Sequence, residues 1–359
     1  MSLRQGAGMI AAAAQTACLL EVHAPKPGNV SRGRDLPGLT YRDFVFSAYA
    51  IGPAFARAAD RRVGRMVLDA VRATRCVVGT NTNLGIILLL APLARAAQER
   101  AGTFRERLRR VLAGLDRRDA RDVYRAIRLA GAGGLGRVGW QDVRSVPTVP
   151  LLDCMRLAAE RDAIAREYTT GFEATLGVGF PTLRALRERH VPLPEAIAQT
   201  YLTLLAASPD SLIARRHGPG AARRVSGMAR RVLYAGGFLT DGGRAATERL
   251  DRRLRSSRPP LNPGATADLT VASLFVWLLD DLGWTGSIGD AAVRPPVRTT
   301  PERRHGSRRA PRTRSHRGRR DAPRPGASAP RPRSRRRRRR PVPRTTARRR
   351  ARRPPSGGR

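Results

Sequence analysis

Lysine is almost absent from this chain, although the chain is strongly basic. Of 69 basic residues in 359, only Lys26 is a lysine, and the other 68 are arginines. An ammonium is a compact point charge and a guanidinium is a planar fork, so the two are not interchangeable where space is tight. The retained lysine lies between two prolines in "EVHAPKPGNV" (21–30). We expect it to contact a phosphate group; the plainer alternative is a lysine that survives on a turn by chance.

Cysteines and long apolar runs are also scarce, which excludes several classes of protein. The three cysteines, Cys18, Cys76 and Cys154, are far apart and outside any CxxC spacing. That pattern argues against a disulfide framework or a zinc knuckle and favours a reducing, cytoplasmic environment. The longest apolar stretch, "LGIILLLAPLA" (84–94), is too short to span a bilayer. We therefore expect no membrane segment, and we interpret the apolar N-terminal residues as a buried first helix rather than a signal peptide.

The C-terminal segment 287–359 lacks the residues that build a core. It contains no Leu, Phe, Trp, Tyr, Met or Cys, and it carries 27 arginines against three acidic residues. Such a segment cannot bury enough apolar surface to offset the entropy lost on ordering, so we predict a disordered basic tail. Its charge would permit non-specific contact with nucleic acid. The alternative is an accidental extension, such as out-of-frame translation of a GC-rich gene.

Helical spacing of apolar residues dominates the remainder of the chain. In "VGRMVLDAVRATRCVV" (63–78) the apolar positions follow the i, i+3, i+4, i+7 pattern of one helix face. Comparable patterns occur at 41–59, 119–130, 150–168, 194–207, 220–235 and 264–282. No alternating strand pattern stands out, and Pro/Gly-rich joints separate the helical stretches. The sequence therefore predicts a single all-α, multi-helix domain over residues 8–284, followed by the tail at 287–359.

Capping residues predict where three of the helices begin. The stretch "TYRD" (40–43) fits a capping box, which gives Asp43 a structural role. Ser208 and Asn262 each precede a proline, a combination typical of an N-cap followed by the first helical turn. We therefore expect helices to begin directly after Thr40, Ser208 and Asn262.

Polar residues in "GTNTNLG" (79–85) precede the most apolar helical stretch of the chain. A helix that is apolar all round is buried, so its N-terminus lies inside the protein, where its positive dipole end binds anions. One asparagine would suffice as a helix cap, but Asn81, Thr82 and Asn83 come together, flanked by glycines. We therefore predict a ligand-binding loop here.

A glycine-rich loop, "GAGGLG" (131–136), matches GxGxxG outside the context of a dinucleotide-binding fold. That fingerprint needs a preceding strand and a following helix, and here a helical pattern precedes the loop. Such a loop, ending at Arg137, can still direct backbone N–H groups at a phosphate. A flexible connection between helices explains the glycines equally well.

Three aspartates lie on or near apolar helix faces. Asp162 continues the apolar face of the predicted helix 150–168, Asp210 lies at a helix start, and Asp268 follows the start of the last helix. A buried carboxylate is costly unless it is paired or binds a metal. An arginine partner is the alternative for each, and Asp210 could simply favour its helix dipole. Together with anion-type loops they favour a site for Mg²⁺ and a polyphosphate, because Mg²⁺ prefers a few carboxylates with phosphate oxygens and water.

Four motifs occur in an order that resembles the triphosphoribosyl-dephospho-CoA synthase family. They are "EVHAPKPGNV" (21–30), "GTNTNLG" (79–85), "PDSLIARRHG" (209–218) and "LNPGATADL" (261–269). The resemblance spans about residues 8–284, and "TNTNLG" is similar to the archaeal-type branch of that all-α family. It implies that ATP donates its triphosphoribosyl group to the 2′-hydroxyl of 3′-dephospho-CoA with release of adenine and with Mg²⁺ bound alongside ATP. The product would be the precursor of a prosthetic group.

The resemblance also implies roles for residues of this chain. Glu21, Lys26, Asp210 and Asp268 are expected to be catalytic, and Glu21, Asp210 and Asp268 to hold Mg²⁺. We expect Lys26 on a phosphate and Glu21 as a base or second metal ligand. Contacts with substrate or ATP are expected from Lys26, Gly28, Asn29, Asn81, Thr82, Asn83, Gly85, Arg137, Arg215, Asn262 and Gly264.

Two loops depart from the family pattern, which leaves the acceptor open. Synthases that make the decarboxylase cofactor typically carry "PKPGLVD" and "NTHKG", whereas this chain has "PKPGNVS" (25–31) and "NTNLG" (81–85). A histidine and a second lysine are therefore absent. The alternatives to dephospho-CoA are another ribosyl acceptor in tetrahydromethanopterin-linked C1 metabolism and, in a different class, nucleic-acid binding through the tail. The sequence indicates no oligomeric state.

Overall fold

Helices and the loops between them form the whole of the described structure, which is a computed structural model. It describes residues 3–288 except Leu135, and it does not describe the side chains of residues 3–5 and 7. The described α-helices are α1 Leu3–His23, α2 Tyr41–Ala50, α3 Gly52–Phe55, α4 Val63–Val77, α5 Leu84–Gln98, α6 Phe104–Ala113, α7 Arg117–Ala130, α8 Leu151–Ala158, α9 Ala163–Thr170, α10 Phe180–Glu188, α11 Leu193–Ala207, α12 Ser211–His217, α13 Pro219–Tyr234, α14 Asp241–Ser256 and α15 Gly264–Asp281.

The all-α class predicted from the sequence is confirmed. Within the described residues no strand forms, and β-type pairing is limited to two isolated bridges in the loop at 31–39. A π-helix at Ala174–Gly179 leads into α10, and a 3₁₀ turn at Gly237–Leu239 precedes α14. Among these helices none is long and apolar enough to cross a membrane. The predicted basic tail lies outside the described residues from position 289 onward.

Helices α5 and α15 form the centre of the molecule because both are apolar on nearly every face. Helix α15 packs against α1, α5 and α11. Pro92 lies inside α5 and has no N–H to donate to the carbonyl of Leu88. The buried hydroxyl of Tyr168 donates to that carbonyl at 2.6 Å, so α9 supplies the hydrogen bond that the proline removes.

Two helical patterns are interrupted where the sequence predicted continuous helices. The pattern at 41–59 divides after Ala50, where Gly52 and Pro53 start the short α3. The pattern at 150–168 divides between α8 and α9, and Asp162 lies in the break. Its carboxylate accepts hydrogen bonds from the backbone N–H groups of Ile164 (2.8 Å) and Ala165 (3.2 Å). A short acidic side chain that captures backbone donors in this way starts a new helix rather than continuing the old one.

The capping predictions have mixed outcomes. The capping box of Thr40 and Asp43 is confirmed at the start of α2. Ser208 ends α11 instead of starting α12, because Asp210 is the residue whose side chain caps α12. Asn262 lies one residue too early, since Pro263 holds the N-cap position of α15 without a side-chain bond. Both errors come from placing the proline inside the helix when it lies in front of the first turn.

Candidate functional site

A cavity of about 550 Å³ opens where several helix ends meet. Its polar part is lined by the end of α1, the first turn of α5, the end of α12 and the start of α15. Its apolar part is lined by α7, α8 and the loop that joins them. The N-terminal ends of α5 and α15 border this polar part, and a helix N-terminus carries the positive end of the helix dipole.

Asp268, on the first turns of α15, is an acidic group of the cavity lining. Its carboxylate forms no hydrogen bond or ion pair with any residue that the structure describes. Burial raises the pKa of this carboxyl well above its usual range, and the nearby carboxylate of Glu21 raises it further, whereas Arg215 opposes the shift. A carboxylate in this state is suited to bind a cation or a proton donor that enters the cavity.

Gly85 allows Asp268 to occupy this position. A Cβ atom at Gly85 would lie 2.1 Å from Oδ2 of Asp268, far inside any allowed contact. Glycine at the second position of α5 therefore lets the two central helices approach closely at the cavity.

Glu21 borders the cavity near the end of α1, and Lys26 lies behind it. The Lys26 ammonium is 3.2 Å from Oε1 of Glu21 and donates to the carbonyl oxygens of Glu21 (2.6 Å), Val30 (3.0 Å) and Ala24 (3.3 Å). Burial raises the pKa of Glu21, and attraction to Lys26 opposes that shift. Lys26 itself is 2 % exposed and does not line the cavity, so its charge is directed at Glu21 and not at the cavity.

The polar residues of the "GTNTNLG" loop divide between lining the cavity and holding the loop. Asn81 and Thr82 line the cavity. Oδ1 of Asn81 accepts from the N–H of Leu84 (3.2 Å), and the hydroxyl of Thr82 lies 2.5 Å from that of Ser47. Asn83 is buried behind them, where its amide donates to the hydroxyl of Thr74 (3.1 Å) and the carbonyl of Ser47 (3.4 Å).

The side chain of Asp210 forms hydrogen bonds with the first turns of α12 and α15 and does not line the cavity. Its Oδ1 accepts from the N–H of Ile213 (3.0 Å), and its Oδ2 accepts from both the N–H and the hydroxyl of Thr266 (2.8 Å each). It is 2 % exposed and does not line the cavity. The carboxylate thus caps one helix and ties it to the start of the next.

Three arginines line the cavity: Arg161, Arg215 and Arg216. Nη1 of Arg215 is 2.5 Å from Oδ2 of Asp162, so the arginine-partner interpretation of Asp162 is confirmed. The guanidinium groups of Arg161 and Arg216 are exposed and have no hydrogen-bond or ion-pair partner among the described residues. They are therefore free to contact an anion.

The remaining predicted residues lie around the cavity with different functions. The side-chain amide of Asn29 donates to Oδ1 of Asn262 at 2.8 Å, and both residues line the cavity together with Gly264. Gly28 has φ +75°, a conformation that favours glycine, and it does not line the cavity. The side chain of Arg137 is exposed and lies outside the lining, although Gly131, Gly133 and Gly136 of the same loop belong to it.

The structure thus brings most of the predicted residues to one cavity. The predicted residues in its lining are Glu21, Asn29, Asn81, Thr82, Gly85, Arg215, Asn262, Gly264 and Asp268. Those outside it are Lys26, Gly28, Asn83, Arg137 and Asp210.

The family model of ATP:dephospho-CoA triphosphoribosyl transferase (CitG) matches residues 7–286. The chain belongs to this family. The match takes in every helix that lines the cavity and all four sequence motifs. It also makes the protein a transferase, as the sequence predicted.

Two curated relatives are described as 2-(5′′-triphosphoribosyl)-3′-dephosphocoenzyme-A synthases. The protein from Stutzerimonas stutzeri is 29 % identical over 276 residues, which cover 70 % of this chain and 85 % of the relative. The protein from Pseudomonas putida is 33 % identical over 106 residues, covering 30 % of this chain and 37 % of the relative. The first match supports likeness over nearly the whole relative, and the second is a local match.

A solved structure of a triphosphoribosyl-dephospho-CoA synthase from Archaeoglobus fulgidus resembles this chain with a TM-score of 0.52 and 28 % identity. The likeness covers 66 % of this chain and 98 % of that one. None of these comparisons favours the tetrahydromethanopterin-linked or the nucleic-acid-binding alternative. Placement in the archaeal-type branch remains a prediction from the "TNTNLG" motif.

Sequence reasoning missed Arg161, Arg216 and the aromatic residues of the apolar part, Tyr124 and Trp140. Arg216 directly follows Arg215 in the motif "PDSLIARRHG" (209–218), so the family resemblance that suggested Arg215 could also have suggested Arg216. Arg161 lies in the unpredicted break between α8 and α9, so no helical pattern could orient it. Tyr124 and Trp140 lie outside all four motifs and become part of the cavity only through the fold.

The carboxylates of the cavity fit a cation that is held jointly with phosphate. Among the described residues, no three His, Cys, Asp or Glu side chains converge as a ready-made metal cluster. Mg²⁺ commonly takes one or two carboxylates and completes its shell with phosphate oxygens and water. Asp268, which has no partner in the part of the chain that the structure describes, and Glu21 offer carboxylate oxygens of that kind. Both oxygens of Asp210, in contrast, accept hydrogen bonds from the protein.

Proposed function

We propose that this chain transfers the triphosphoribosyl group of ATP to the 2′-hydroxyl of 3′-dephospho-CoA and releases adenine. Family membership over residues 7–286 supports the reaction type. The observation that carries the proposal to particular atoms is the carboxylate of Asp268, which has no partner among the described residues and lies in a cavity with three arginines.

The reaction exchanges one bond at a sugar carbon. The bond between C1 of the ATP ribose and N9 of adenine breaks, and its electron pair leaves with adenine, which takes up a proton. The same carbon forms a bond to the acceptor oxygen, whose proton passes to a base. Positive charge develops on the sugar during this exchange, so a negative environment near the sugar and a firm hold on the triphosphate both favour it.

The triphosphate belongs at the arginines and at the first turn of α5. Arg161 and Arg216 present guanidinium groups without partners among the described residues, and Arg215 lines the same cavity. Arginine forks match phosphate oxygens, and a helix N-terminus adds a positive dipole end. In this chain arginines therefore take the phosphate-binding role that the sequence suggested for Lys26.

Glu21 is placed to act as the base, with Lys26 as the group that holds it. Its Oε1 is fixed by the Lys26 ammonium while the side chain borders the cavity. Burial raises the pKa of Glu21, which makes its carboxylate a stronger base than an exposed one. Attraction to the Lys26 ammonium opposes that shift.

Asp268 is the residue that would hold Mg²⁺ together with the triphosphate, and Glu21, which lines the same cavity, is the second candidate ligand. When bound, the ion offsets the charge of the triphosphate and fixes its position without cleaving it. Asp210 is not included in this set, because its carboxylate holds α12 and α15 together.

Adenine release tests the proposal. The full chain, supplied with ATP, Mg²⁺ and dephospho-CoA, should release adenine only when the acceptor is present. Asp268→Asn and Glu21→Gln should each lose about 100-fold or more of kcat, the size expected for loss of a catalytic group. Asp153→Asn is the matched control, because Asp153 is a half-buried residue of α8 that lies outside the cavity and whose carboxylate pairs, among the described residues, with Arg156. Full turnover in Asp268→Asn would refute the assigned site.

A further inference from the structure

Trp140 is 61 % exposed and lines the apolar part of the cavity. The other exposed aromatic residues, Phe46, Tyr49 and Tyr234, do not line the cavity. Trp140 lies in the connection between α7 and α8, a segment that belongs to none of the four motifs. Nothing in the proposed acid–base chemistry uses it.

The loop that carries Trp140 is fixed by hydrogen bonds on both sides of the indole. The hydroxyl of Tyr124 on α7 donates to the carbonyl of Gln141 at 2.8 Å. The side chain of Gln141 donates to the hydroxyl of Thr148 (2.6 Å) and accepts from its N–H (3.1 Å). Oδ2 of Asp142 accepts from the N–H of Val138 at 3.0 Å. The exposed indole is therefore presented from a held loop.

The backbone next to Trp140 adopts a conformation that is unfavourable for its residue type. Gln141 has φ +52°, in the left-handed region that non-glycine residues rarely enter. Such conformations persist where surrounding contacts enforce them, and they are common at ligand-binding positions. Here the hydrogen bonds of Gln141 with Tyr124 and Thr148 hold the backbone next to Trp140 in this conformation.

The surroundings of Trp140 are suited to a flat apolar group. The same part of the cavity is lined by Tyr124, Ile127, Leu151 and Met155. Arg161 of the lining is close enough to Tyr124 to oppose the rise in the pKa of its hydroxyl that burial causes. A polyphosphate would lose its hydration against these apolar side chains without gaining hydrogen bonds in return. A heteroaromatic ring, in contrast, stacks on an indole.

We propose that Trp140 is the stacking face of a purine-base subsite, occupied by the adenine ring of ATP or of dephospho-CoA. The inference rests on the proposed function, which brings two adenine-bearing substrates to this cavity. Stacking of a base on an aromatic side chain is sequence-tolerant and needs only a free π face, which the exposed indole supplies. Arg161, at the edge of this wall, then lies where a base-bearing nucleotide continues toward its phosphates.

Tryptophan fluorescence tests the subsite independently of turnover. The other two tryptophans, Trp277 and Trp284, are partly buried against the core, so ligand quenching should come mainly from Trp140. In the full chain, ATP or dephospho-CoA should quench the emission, and inorganic tripolyphosphate and pantetheine, which lack a base, should not. The quenching should vanish in Trp140→Phe. Equal quenching by tripolyphosphate, or quenching that survives in Trp140→Phe, would overturn the subsite.

Steady-state kinetics then identify which adenine stacks. Trp140→Ala should raise the KM of the stacked substrate by about 5- to 100-fold, and Trp140→Phe, which keeps a ring, should raise it less. A rise for ATP assigns the donor adenine, and a rise for dephospho-CoA assigns the acceptor adenine. Val146→Ala is the matched control, since Val146 is 66 % exposed in the same loop and does not line the cavity.

The two proposals fail in different ways. If the wild-type chain releases adenine but Trp140→Ala retains both KM values, the subsite is wrong and the function stands. If the wild-type chain binds ATP with quenching at Trp140 but releases no adenine with dephospho-CoA, the subsite stands and the function is wrong.

Discussion

Asp268 and Gly85 depend on each other for their positions at the cavity. The carboxylate occupies the space into which any larger residue at position 85 would place its Cβ. A carboxylate that has no partner among the described residues costs stability, and its retention is expected at a functional site rather than at a structural one. At the residue scale, the account therefore predicts that Asp268 lowers stability while it enables activity.

Gly85→Ala tests the close approach. Alanine is the better helix former, so a purely local view predicts a slightly more stable α5. We predict instead that the added methyl group displaces the Asp268 carboxylate and lowers kcat/KM by about 100-fold, the size expected for a small misplacement of a catalytic group. Adenine release measures the effect. Gly79→Ala is the control, because a Cβ at Gly79 meets nothing within 4 Å; equal activity of the two variants would contradict the close approach.

Asp268→Asn tests the cost of the carboxylate through its pH dependence. Because burial raises the pKa of Asp268 in the folded protein above the ordinary value of 3.8, the folded state prefers the protonated form. Stability that depends on this group is fully present below pH 3.8 and is lost as pH rises toward the folded pKa. In EDTA, the Tm of Asp268→Asn should therefore exceed that of the wild type at neutral pH, and the difference should shrink toward pH 4. A lower Tm of the variant at neutral pH would show that the carboxylate has a stabilising partner.

The sequence predicted most of the polar lining, whereas the Lys26 ammonium lies behind Glu21 and outside the cavity lining. Lys26 stood out because it is the one lysine of the chain, but composition alone could not show whether its ammonium points into the cavity or into the protein behind it. Asp210 illustrates the same limit, because a helix cap and a metal ligand call for the same residue type at the same position. Trp140 lies in a loop whose path only the fold determines.

At the scale of elements, Lys26 closes the end of α1. Two of the carbonyl oxygens that accept from its ammonium, those of Glu21 and Ala24, lie at the C-terminal end of that helix, and a third belongs to Val30 in the following loop. Carbonyl groups at a helix end lack intrahelical partners, and a cation there also meets the negative end of the dipole. A compact ammonium can donate to these converging carbonyl oxygens and contact the Glu21 carboxylate at the same time. A planar guanidinium cannot do so in the same space, which explains why position 26 is lysine and not arginine.

Lys26→Met should be strongly destabilising, because it leaves the charge of Glu21 buried and unpaired. Loss of one partner of a buried pair costs about 3–5 kcal/mol, which chemical denaturation measures directly. The double variant Glu21→Gln with Lys26→Met should recover part of the loss, since no buried charge remains. Arg156→Met is the control, as it removes a solvent-accessible pair with Asp153 and should cost less than about 1 kcal/mol. A Lys26→Met cost as small as that of the control would contradict this role.

The helical elements themselves were largely predictable, because apolar spacing is set by the same faces that pack in the core. The exceptions are the breaks. Asp162 continued an apolar row in the sequence, yet its carboxylate captures two backbone donors and pairs with Arg215 from another helix. That partner is 53 residues away along the chain, beyond the range of any local pattern.

At the scale of the whole molecule, packing extends past the predicted domain end at residue 284. The carbonyl of Ser287 accepts from the N–H of Phe104 at 3.0 Å, and the buried guanidinium of Arg107 donates to the carbonyl of Thr285. Ile288 packs against the main core. The last described residues therefore belong to the helical unit, and a truncation that removes the tail should end after Ile288.

A chain that ends at residue 288 should retain the Tm and the adenine release of the full chain. A chain that ends at 283 should lose stability, because Arg107 loses the carbonyl groups of Trp284 and Thr285 that accept its hydrogen bonds. Thermal unfolding of both truncations measures this difference. Loss of turnover in the 288-residue chain would show that the basic segment takes part in the reaction, and salt-dependent DNA binding that persists in it would place nucleic-acid contact outside the segment 289–359.

The fate of double-labelled ATP tests the central claim most directly. The full chain would be incubated with Mg²⁺, dephospho-CoA and ATP that carries ¹⁴C in the adenine ring and ³²P at the γ-phosphate. The account predicts that ¹⁴C appears as free adenine while an equal amount of ³²P joins the dephospho-CoA product, with all three phosphates retained. Release of ³²P as phosphate, or transfer of ¹⁴C to the acceptor, would contradict it.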